Sequence, residues 1–557
     1  MSHSKNRLLV LLIAVACVFC GSCTNRKEKK DQQPAVAVPR ERISEDLRWT
    51  MEKALKNENR LNDSVRLNFA SLLDSLYSAN QYEPFWSKET KWLPLADSLF
   101  GFISNSKEYG LFPRDYHYSS LAFVQRVFLA DTLARKNLAL WARTDILLTD
   151  AFFTLAKDLK QGRLRFDSVT LRTDSVLNNE FYKQIFQAAF QSGTMTGTLH
   201  QLEPRYPAYD SLKAYIKKFL GTAVFMPYTY LVYPYKDSIA FFKSVEKRLH
   251  EVGEISPGVN NLDSVAFTKV FRKYQKKQDL KVTGTLSDQM VDRLNYTDWE
   301  KFKKIAVNLD RYKQLPDTLP KTRAWINLPS YYLQVIDADS TVFQSRIIVG
   351  GRLTRTPLLT SEISNFITYP QWTVPYSIIF KEMLPKIQHS VDFLAKENLM
   401  VVDENDSVRD PTTINWAKLN KNHFPYLLKQ RQGDDNSLGV IKFNFRNRYS
   451  VYLHDTNVRW KFSNPFRAIS HGCVRVKEWS KLANFLIRND SVRYQPDTLK
   501  AWIARQEKHV VSGFTKLPLY IRYFTCEGKD GRIKFYEDIY EEDRYLREKY
   551  FADKDVQ

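Results

Sequence analysis

The spacing of apolar residues changes along this chain of 557 residues, from a helical period to the period of β-strands. Within residues 46–240 apolar side chains recur every three or four positions, which predicts a helical scaffold domain. After Arg323 the apolar runs are short, β-branched and aromatic, as in residues 331–336, and turn residues separate them. We therefore predict an α+β multidomain fold in which a β-rich, β-sandwich-like domain occupies residues 322–526.

A smaller helical unit lies between these two parts, in residues 243–296. Phe267, Phe271 and Tyr274 mark one helix face, and Gly284 marks the break before a second helix. This stretch resembles the three-helix module that binds peptidoglycan. The alternative is an ordinary helical hairpin with no ligand.

The β-rich region is interrupted by a polar, charged stretch at residues 381–437. Long insertions inside a compact domain are commonly functional loops or lids. We therefore predict that this insertion covers a site in the β-rich domain.

The amino terminus has the pattern of an export signal. Lys5 and Arg7 precede an apolar run over residues 8–19, which is too short to cross a bilayer as a helix. The small residues before Cys23 resemble a lipoprotein signal, so residues 1–23 are expected to be the signal peptide, with lipidation at Cys23. Residues 24–45 are polar and contain two prolines, which predicts a tether. Cleavage without lipidation is the alternative.

The net charge and the positions of the cysteines restrict the kinds of partner that the chain is expected to bind. Lys and Arg exceed Asp and Glu by 83 to 62, giving a net charge of +21, which favours an anionic partner. Three of the five cysteines, Cys17, Cys20 and Cys23, lie in the signal, where an iron–sulfur cluster could not form. Export disfavours nucleic acid and favours the periplasm and the polymers of a Gram-negative-type envelope, with membrane contact through the lipid anchor.

The candidate chemistry lies in residues 470–476, Ser-His-Gly-Cys-Val-Arg-Val. Cys473 precedes a predicted helix, and a helix N-terminus together with Arg475 is expected to lower the pKa of the thiol. Gly472 leaves room for a substrate carbonyl and for backbone N–H groups that stabilise an oxyanion. Acyl transfer also needs a proton acceptor, for which His454 and His471 are the candidates.

The spacing of these residues resembles a known family. His454, fifteen intervening residues and then the motif at 470–476 are similar to the signature of the L,D-transpeptidases with a YkuD-type catalytic domain. Further segments follow in the order of the large, multidomain members of that family: RIIVGGRLTRTP, YPQWTVPYSI, NSLGVIKFNF and YLHDT.

The resemblance implies roles for individual residues. Cys473 would be the nucleophile and His454 the proton donor and acceptor, oriented by a backbone carbonyl such as that of Asp455. The amides of Gly472 and Cys473 would be oxyanion donors. Ser470 occupies a motif position, and His471 would shape the surroundings of the thiol. Arg475 would be either a structural ion-pair partner or an anchor for a substrate carboxylate.

The resemblance also implies a reaction. Cys473 would form a thioester with the third residue of a tetrapeptide stem, release D-Ala and pass the acyl group to the amine of a second stem, which gives a 3→3 crosslink. No metal or organic cofactor is expected. Two alternatives remain open: an L,D-carboxypeptidase or other envelope cysteine hydrolase that transfers the acyl group to water, and a non-catalytic wall-binding scaffold.

Other histidines and cysteines are weaker candidates. His509 and Cys526 have a similar sequence spacing to His454 and Cys473. Glu527 next to Cys526 disfavours a thiolate, however, and no small-residue turn leads into a helix there, which predicts a buried or bystander thiol. His117 and His389 are expected to be packed or solvated. No metal-ligand spacing and no phosphate-binding loop is present in the sequence.

Overall fold

The computed structural model describes residues 42–164, 177–495, 497–529 and 532–551. The predicted signal peptide, Cys23 and the tether up to residue 41 lie outside the described residues. The first helix begins at Ile43, so the last residues assigned to the tether belong to that helix.

The N-terminal part is helical around one buried central helix. Its elements are α1 (Ile43–Lys56), β1 (Arg60–Asn62), β2 (Val65–Arg66), α2 (Ala70–Ala79), β3 (Ser87–Lys88), β4 (Lys91–Trp92), α3 (Pro94–Ser104), α4 (Tyr118–Ala130), α5 (Leu138–Lys160), α6 (Asn179–Ser192), α7 (Met195–His200) and α8 (Pro207–Leu220). The side chain of Asn137 caps α5 by accepting from the N–H of Leu140. Helix α5 ends just before Gly162, which has a φ of +76°.

A second helical unit follows, with its own apolar core. It contains α9 (Ser238–Glu251), α10 (Ser264–Lys277) and α11 (Asp288–Asn295), and α12 (Asp298–Lys313) follows it. The Gln275 side chain accepts hydrogen bonds from the N–H groups of Thr283 and Gly284, which fixes the turn between α10 and α11. The apolar face predicted for this unit is buried between its helices. Peptidoglycan binding by this unit stays a prediction.

The C-terminal part is built on strands. After α12 the chain forms β5 (Arg323–Asn327), β6 (Tyr332–Asp337), β7 (Ser340–Gly350), β8 (Leu359–Thr368), β9 (Trp372–Thr373), α13 (Tyr376–Ile378), α14 (Leu384–His389), α15 (Asp392–Lys396), β10 (Leu399–Val402), β11 (Val408–Arg409), β12 (Leu427–Gln430), β13 (Ile441–Phe445), β14 (Leu453–His454), β15 (Ala468–Ser470), β16 (Val474–Val476), α16 (Trp479–Ile487), α17 (Thr498–Ala504), β17 (Val510–Arg522), β18 (Cys526–Lys529), β19 (Arg532–Phe535) and α18 (Glu542–Tyr550). The predicted fold class, a helical scaffold followed by a β-rich domain, is confirmed.

The main sheet closes on itself. Its strand order is β15-β7-β16-β14-β13-β8-β17-β5-β6, and an additional pairing of β6 with β7 joins the two ends. Alternate residues along the strands, such as Leu453 and Val474, point into a common apolar core. The intervening residues therefore lie on the opposite face, where they are available for chemistry.

The insertion in this domain is a packed lobe. A small sheet of order β11-β10-β12-β9 and the helices α13 to α15 enclose an apolar core that includes Ile379, Leu394 and Leu428. The insertion predicted at 381–437 thus has an apolar core of its own, and the small sheet of the lobe begins earlier in the chain, at Trp372.

The last residues link the two halves of the molecule. Strands β18 and β19 and helix α18 pack with α8 and α12 around a shared apolar cluster that includes Cys526 and Phe551. No helix within the described ranges is both long and apolar enough to span a membrane.

Candidate active site

Strand register assembles the candidate site. His454 in β14 lies opposite Lys442 in the antiparallel strand β13 and opposite Arg475 in the parallel strand β16. Cys473 directly precedes β16, and Tyr452 directly precedes β14. Because side chains alternate along a strand, Tyr452, His454, Cys473 and Arg475 share the face opposite the apolar core. The sheet thus brings together the nucleophile and the base that the sequence predicts.

The expected helix N-terminus at Cys473 is absent. Residues Val474–Val476 form a strand, and helix α16 begins only at Trp479. The β-branched pair Val474 and Val476 packs into the sheet core, which favours a strand over a first helical turn. The helix dipole therefore does not act on the thiol directly.

Burial raises the pKa of the Cys473 thiol above its ordinary value. Hydrogen bonding from the backbone and the hydroxyl of Tyr452, and the positive charges of Lys442 and Arg475, act in the opposite direction. The predicted lowering of the thiol pKa was wrong in its net sign, because removal from water outweighs these contributions. The resting nucleophile at neutral pH is a thiol.

Two residues of this site were missed in the sequence. The ammonium of Lys442 lies 4.1 Å from the ring centroid of Tyr452, and the Tyr452 ring lies 5.6 Å from the His454 ring in an edge-on arrangement. Burial lowers the pKa of Lys442. A lysine within the apolar strand segment Ile441–Phe445, and a tyrosine two residues before the predicted base, are the signals that could have found them.

His454 is buried and neutral. Burial, followed by the positive charge of Arg475, lowers the pKa of the imidazole to about 3, and the backbone carbonyls of Asp455 and Leu438 oppose that shift. Nδ1 has no hydrogen-bond partner of normal geometry among the described residues. At neutral pH the ring is therefore an unprotonated base that can take a proton from a nucleophile.

Asp455 holds the loop beside the imidazole. Its buried carboxylate accepts from the N–H of Val440 at 3.1 Å and from Nε of Arg459 at 3.1 Å. A Cβ at Gly439, whose φ is +63°, would clash with this carboxylate. The side chain of Asp455 thus fixes the loop that carries the Leu438 carbonyl, in addition to the expected contribution of its own carbonyl.

The loop at the nucleophile is stabilised from within. Ser470 Oγ donates to the Cys473 carbonyl at 2.7 Å and accepts from the Gly472 N–H at 3.2 Å. The Gly472 amide is therefore engaged inside the loop, which corrects its predicted role as an oxyanion donor. No acceptor for the Cys473 N–H is found in the described part of the chain. That amide remains the candidate donor, and Gly472 supplies the backbone φ of +117° that the turn requires.

His471 contacts the lobe. Its Nε2 lies 2.6 Å from Oε1 of Glu382, in the turn that precedes α14 of the lobe. The pair joins the nucleophile loop to the lobe, and the expected role of His471 in shaping the thiol environment stays a prediction.

Arg475 is a partly buried cation with free hydrogen-bonding capacity. Burial lowers the pKa of its guanidinium, and Nε has no partner in the described ranges. No carboxylate forms an ion pair with Arg475 among the residues described. Of the two predicted roles, the geometry favours an anchor for an anion over a structural ion pair.

The weaker candidates lie elsewhere. Cys526 is fully buried in β18, and His509 stacks on Trp502 at 4.0 Å. His117 bonds the buried carboxylate of Asp150 at 2.7 Å, and His389 is exposed at the end of α14. Within the described residues no group of three or more His, Cys, Asp or Glu side chains could hold a metal ion.

Two segments of the chain match models of known protein families. Residues 321–493 match the family model described as the YkuD L,D-transpeptidase catalytic domain, and residues 71–216 match that of a scaffold domain. The β-rich part of the chain thus matches an L,D-transpeptidase catalytic domain of the YkuD type. A separate match to a scaffold domain precedes it in the sequence.

Comparison with known proteins also found a curated protein and a solved structure. A Haemophilus influenzae protein named "Putative L,D-transpeptidase" is 33% identical over 245 residues, which is 44% of this chain and 49% of that protein. The chain therefore spans about half the length of this curated relative. A solved structure titled "Structure of the Ldtfm-avibactam carbamoyl enzyme" is 11% identical and covers 48% of this chain and 83% of its own, with a TM-score of 0.17.

Proposed function

We propose that this protein is a peptidoglycan L,D-transpeptidase that forms 3→3 crosslinks through a thioester at Cys473, with His454 as the proton donor and acceptor. The observation that carries the proposal is the register of β14 and β16 inside a YkuD-type domain. It places a thiol and a neutral imidazole on one face of the sheet, with the cations Lys442 and Arg475 beside them.

The first half-reaction cleaves the donor stem. Sγ of Cys473 attacks the carbonyl carbon of the third stem residue while the thiol proton passes to His454. The carbonyl oxygen becomes an oxyanion that accepts from the Cys473 N–H. The C–N bond to the terminal D-Ala then breaks, the protonated imidazole gives its proton to the leaving amine, and a thioester remains.

The second half-reaction forms the crosslink. The amine of the third residue of another stem attacks the thioester, and His454 takes a proton from that amine. The C–S bond breaks, an amide forms, and the proton returns to the sulfur. A neutral imidazole suits both steps, because it accepts a proton twice and donates it twice in one cycle.

The low pKa of His454 favours its action as an acid and weakens its action as a base for the thiol proton. An imidazolium with a pKa of about 3 is a strong acid, which favours transfer of its proton to the leaving amine. The thiol has no preformed imidazolium partner, so Lys442, Arg475 and the Tyr452 hydroxyl must stabilise the sulfur as negative charge develops on it.

The lobe is proposed to act as the lid. Trp372 and Glu382 bring it next to Tyr452 and His471, on the face that carries the nucleophile. A cover at this place would exclude water from the thioester and hold the acceptor stem. Transfer to water would instead give an L,D-carboxypeptidase.

The cellular setting is also a proposal and is supported by sequence alone. The signal-like segment before Cys23 suggests an exported lipoprotein of the periplasm, and the three-helix unit is proposed to bind the cell wall. Loss of lipid labelling in Cys23→Ala, with labelling in the wild type, tests the anchor.

The function is tested by incubation with purified tetrapeptide muropeptides and product analysis by mass spectrometry. The wild type should yield dimers linked 3→3 together with free D-Ala, and Cys473→Ala should yield neither. Cys526→Ala is the matched control because it removes the other described thiol, which is far from the site, and it should retain crosslinking. Tripeptide without dimer would indicate hydrolysis, and crosslinking by Cys473→Ala would reject the catalytic role.

A further inference from the structure

A loop from another part of the domain holds the nucleophile in place. Residues 350–356, here termed the clamp loop, follow β7 and cross beneath the Ser470–Cys473 segment. The Gly351 N–H and Thr354 Oγ1 both donate to the Ser470 carbonyl, at 2.8 and 2.7 Å. Thr356 Oγ1 donates to the Gly472 carbonyl at 2.8 Å. The backbone next to Cys473 is thus fixed by hydrogen bonds from outside its own loop.

The hydroxyl of Thr356 has no freedom to turn away. It accepts from the Gly350 N–H at 2.8 Å, and the residue is only 2% exposed. Thr356 Oγ1 thus accepts a hydrogen bond from the Gly350 N–H on one side, and its own proton is directed at the Gly472 carbonyl.

This contact sets the direction of the amide of Cys473. In a planar trans peptide the C=O and the N–H point in opposite directions. Anchoring the Gly472 carbonyl on Thr356 therefore fixes where the Cys473 N–H points, and this amide is the remaining candidate oxyanion donor. A donor of this kind is effective only when it is already oriented before the charge develops.

Tyr540 closes the clamp loop on itself. Its hydroxyl donates to the Gly350 carbonyl at 2.8 Å and accepts from the Thr356 N–H at 3.1 Å, so one buried side chain ties the two ends of the loop together. Tyr540 is 1% exposed. Its own N–H donates to the hydroxyl of Tyr523 at 2.9 Å, and that hydroxyl donates to Asp538 at 2.5 Å. Tyr540 lies beyond the residues matched to the catalytic family, which end at 493.

We propose that Tyr540 and Thr356 are positioning residues for acyl transfer at Cys473. They orient the Gly472–Cys473 peptide so that its N–H meets the developing oxyanion. This role rests on the proposed function. It makes the C-terminal segment, which also packs on the helices α8 and α12, a required part of the active site.

The test compares Tyr540→Phe and Thr356→Val with the wild type in two reactions. Release of D-Ala from tetrapeptide stems needs an oxyanion donor, whereas alkylation of Cys473 by iodoacetamide is a displacement at saturated carbon and needs none. Loss of one oxyanion donor costs about 100-fold or more in kcat, so a misdirected donor should lower kcat by roughly 10-fold or more with little change in KM. The alkylation rate should stay within about twofold of the wild type, since the thiol itself is untouched.

Matched controls separate positioning from general loss of structure. Tyr536→Phe removes a hydroxyl of the same C-terminal segment that bonds Glu527 at 2.9 Å and does not contact the clamp loop, so kcat should be retained. Thr356→Ser keeps the hydroxyl and should recover most of the activity lost in Thr356→Val. Circular dichroism melting curves establish that each variant is folded.

The experiment distinguishes failure of the positioning role from failure of the proposed function. An unchanged kcat in Tyr540→Phe, or a fall in alkylation that parallels the fall in kcat, would overturn the positioning role. A folded wild type that reacts with iodoacetamide but releases no D-Ala would instead overturn the proposed function, and this role with it.

Discussion

Arg475 lies directly beside His454 in the parallel pair of β16 and β14, as a partly buried cation that no carboxylate neutralises among the described residues. Its charge helps to keep the imidazole neutral and opposes the cost of forming a buried thiolate at Cys473. A buried cation without a partner is costly to a folded protein unless an anion arrives during function. The terminal carboxylate of a tetrapeptide stem is an anion of the required kind.

Replacement of this cation should remove recognition of the carboxylate. Arg475→Gln is expected to raise KM for a tetrapeptide donor by about 10-fold or more, because a hydrogen bond to a charged group contributes roughly 1.5–3 kcal/mol. With a donor that has an amidated C-terminus, KM should be the same for the wild type and the variant, while kcat should fall with both donors because Arg475 also stabilises the developing thiolate. Steady-state D-Ala or D-Ala-amide release measures both. Arg488→Gln, at an exposed ion pair of the same domain, is the control. An equal change in KM with both donors would show that Arg475 does not bind the carboxylate.

The raised pKa of Cys473 predicts the pH dependence of its reactivity. Burial favours the thiol, so thiolate is scarce at neutral pH and increases as pH rises toward and above the ordinary range of a cysteine. The rate of alkylation by iodoacetamide should therefore climb continuously through pH 8.5 and beyond. Because His454 is already unprotonated above about pH 4, its titration should add no step between pH 5 and 8. A rate that is constant from about pH 6 upward would instead indicate a thiolate–imidazolium pair.

Local sequence patterns predicted which residues would be the nucleophile and the base, but not their electrostatics. His454 and Cys473 were recognisable because motif spacing records which strands must lie side by side. The net effect on the thiol pKa was not recognisable, since it depends on how much water the closed sheet removes. Lys442 was not predicted as a site residue, because a lysine in a strand is normally solvated. Only the pairing of its strand with that of His454 brings it to the site.

The contact between His471 and Glu382 predicts a role for the lobe in the fate of the thioester. Both side chains are 45% exposed, so the pair should add no more than about 1 kcal/mol to stability, and Glu382→Gln should melt close to the wild type. If the lobe excludes water, the variant should give a larger ratio of tripeptide to crosslinked dimer. Muropeptide analysis measures that ratio, with Glu362→Gln at the exposed Lys516 pair as control. An unchanged ratio of tripeptide to dimer would show that the contact between His471 and Glu382 does not contribute to excluding water from the thioester.

A buried acidic cluster at the junction of α12 and α18 predicts how stability depends on pH. Burial raises the pKa of Glu542 to about 7 and that of Asp538 to about 6, with Arg311 acting against both shifts. Carboxyls with raised pKa bind protons more tightly in the folded state, so their contribution to stability is lost as pH rises from about 4 to 7.

Removal of one of these charges should therefore stabilise the protein at high pH only. Glu542→Gln is expected to increase the free energy of unfolding at pH 8 by roughly 1 kcal/mol and to have little effect at pH 4.5. Denaturant melts at the two pH values measure this difference. Glu548→Gln, on the exposed side of the same helix, should show no such pH dependence. Destabilisation of Glu542→Gln at pH 8 would mean that its ion pair with Arg311 outweighs its burial.

The fold also has features that local sequence patterns predict and features that depend on contacts between distant residues. Helical and strand periodicities predicted the two halves, because each period is set by the geometry of one element. The lobe at Trp372 and the contribution of the C-terminal segment depend on contacts between distant residues. Tyr540 touches Gly350 across 190 positions of the chain, and no local pattern marks that contact.

The most direct test of the proposed chemistry is the covalent intermediate itself. Wild-type protein is mixed with a tetrapeptide donor in the absence of an acceptor, quenched with acid, digested and analysed by tandem mass spectrometry. We predict that the peptide containing Cys473 carries the donor less its terminal D-Ala, and that hydroxylamine removes the adduct as expected for a thioester. An adduct on a different residue, or D-Ala release that persists in Cys473→Ala, would contradict acyl transfer through Cys473.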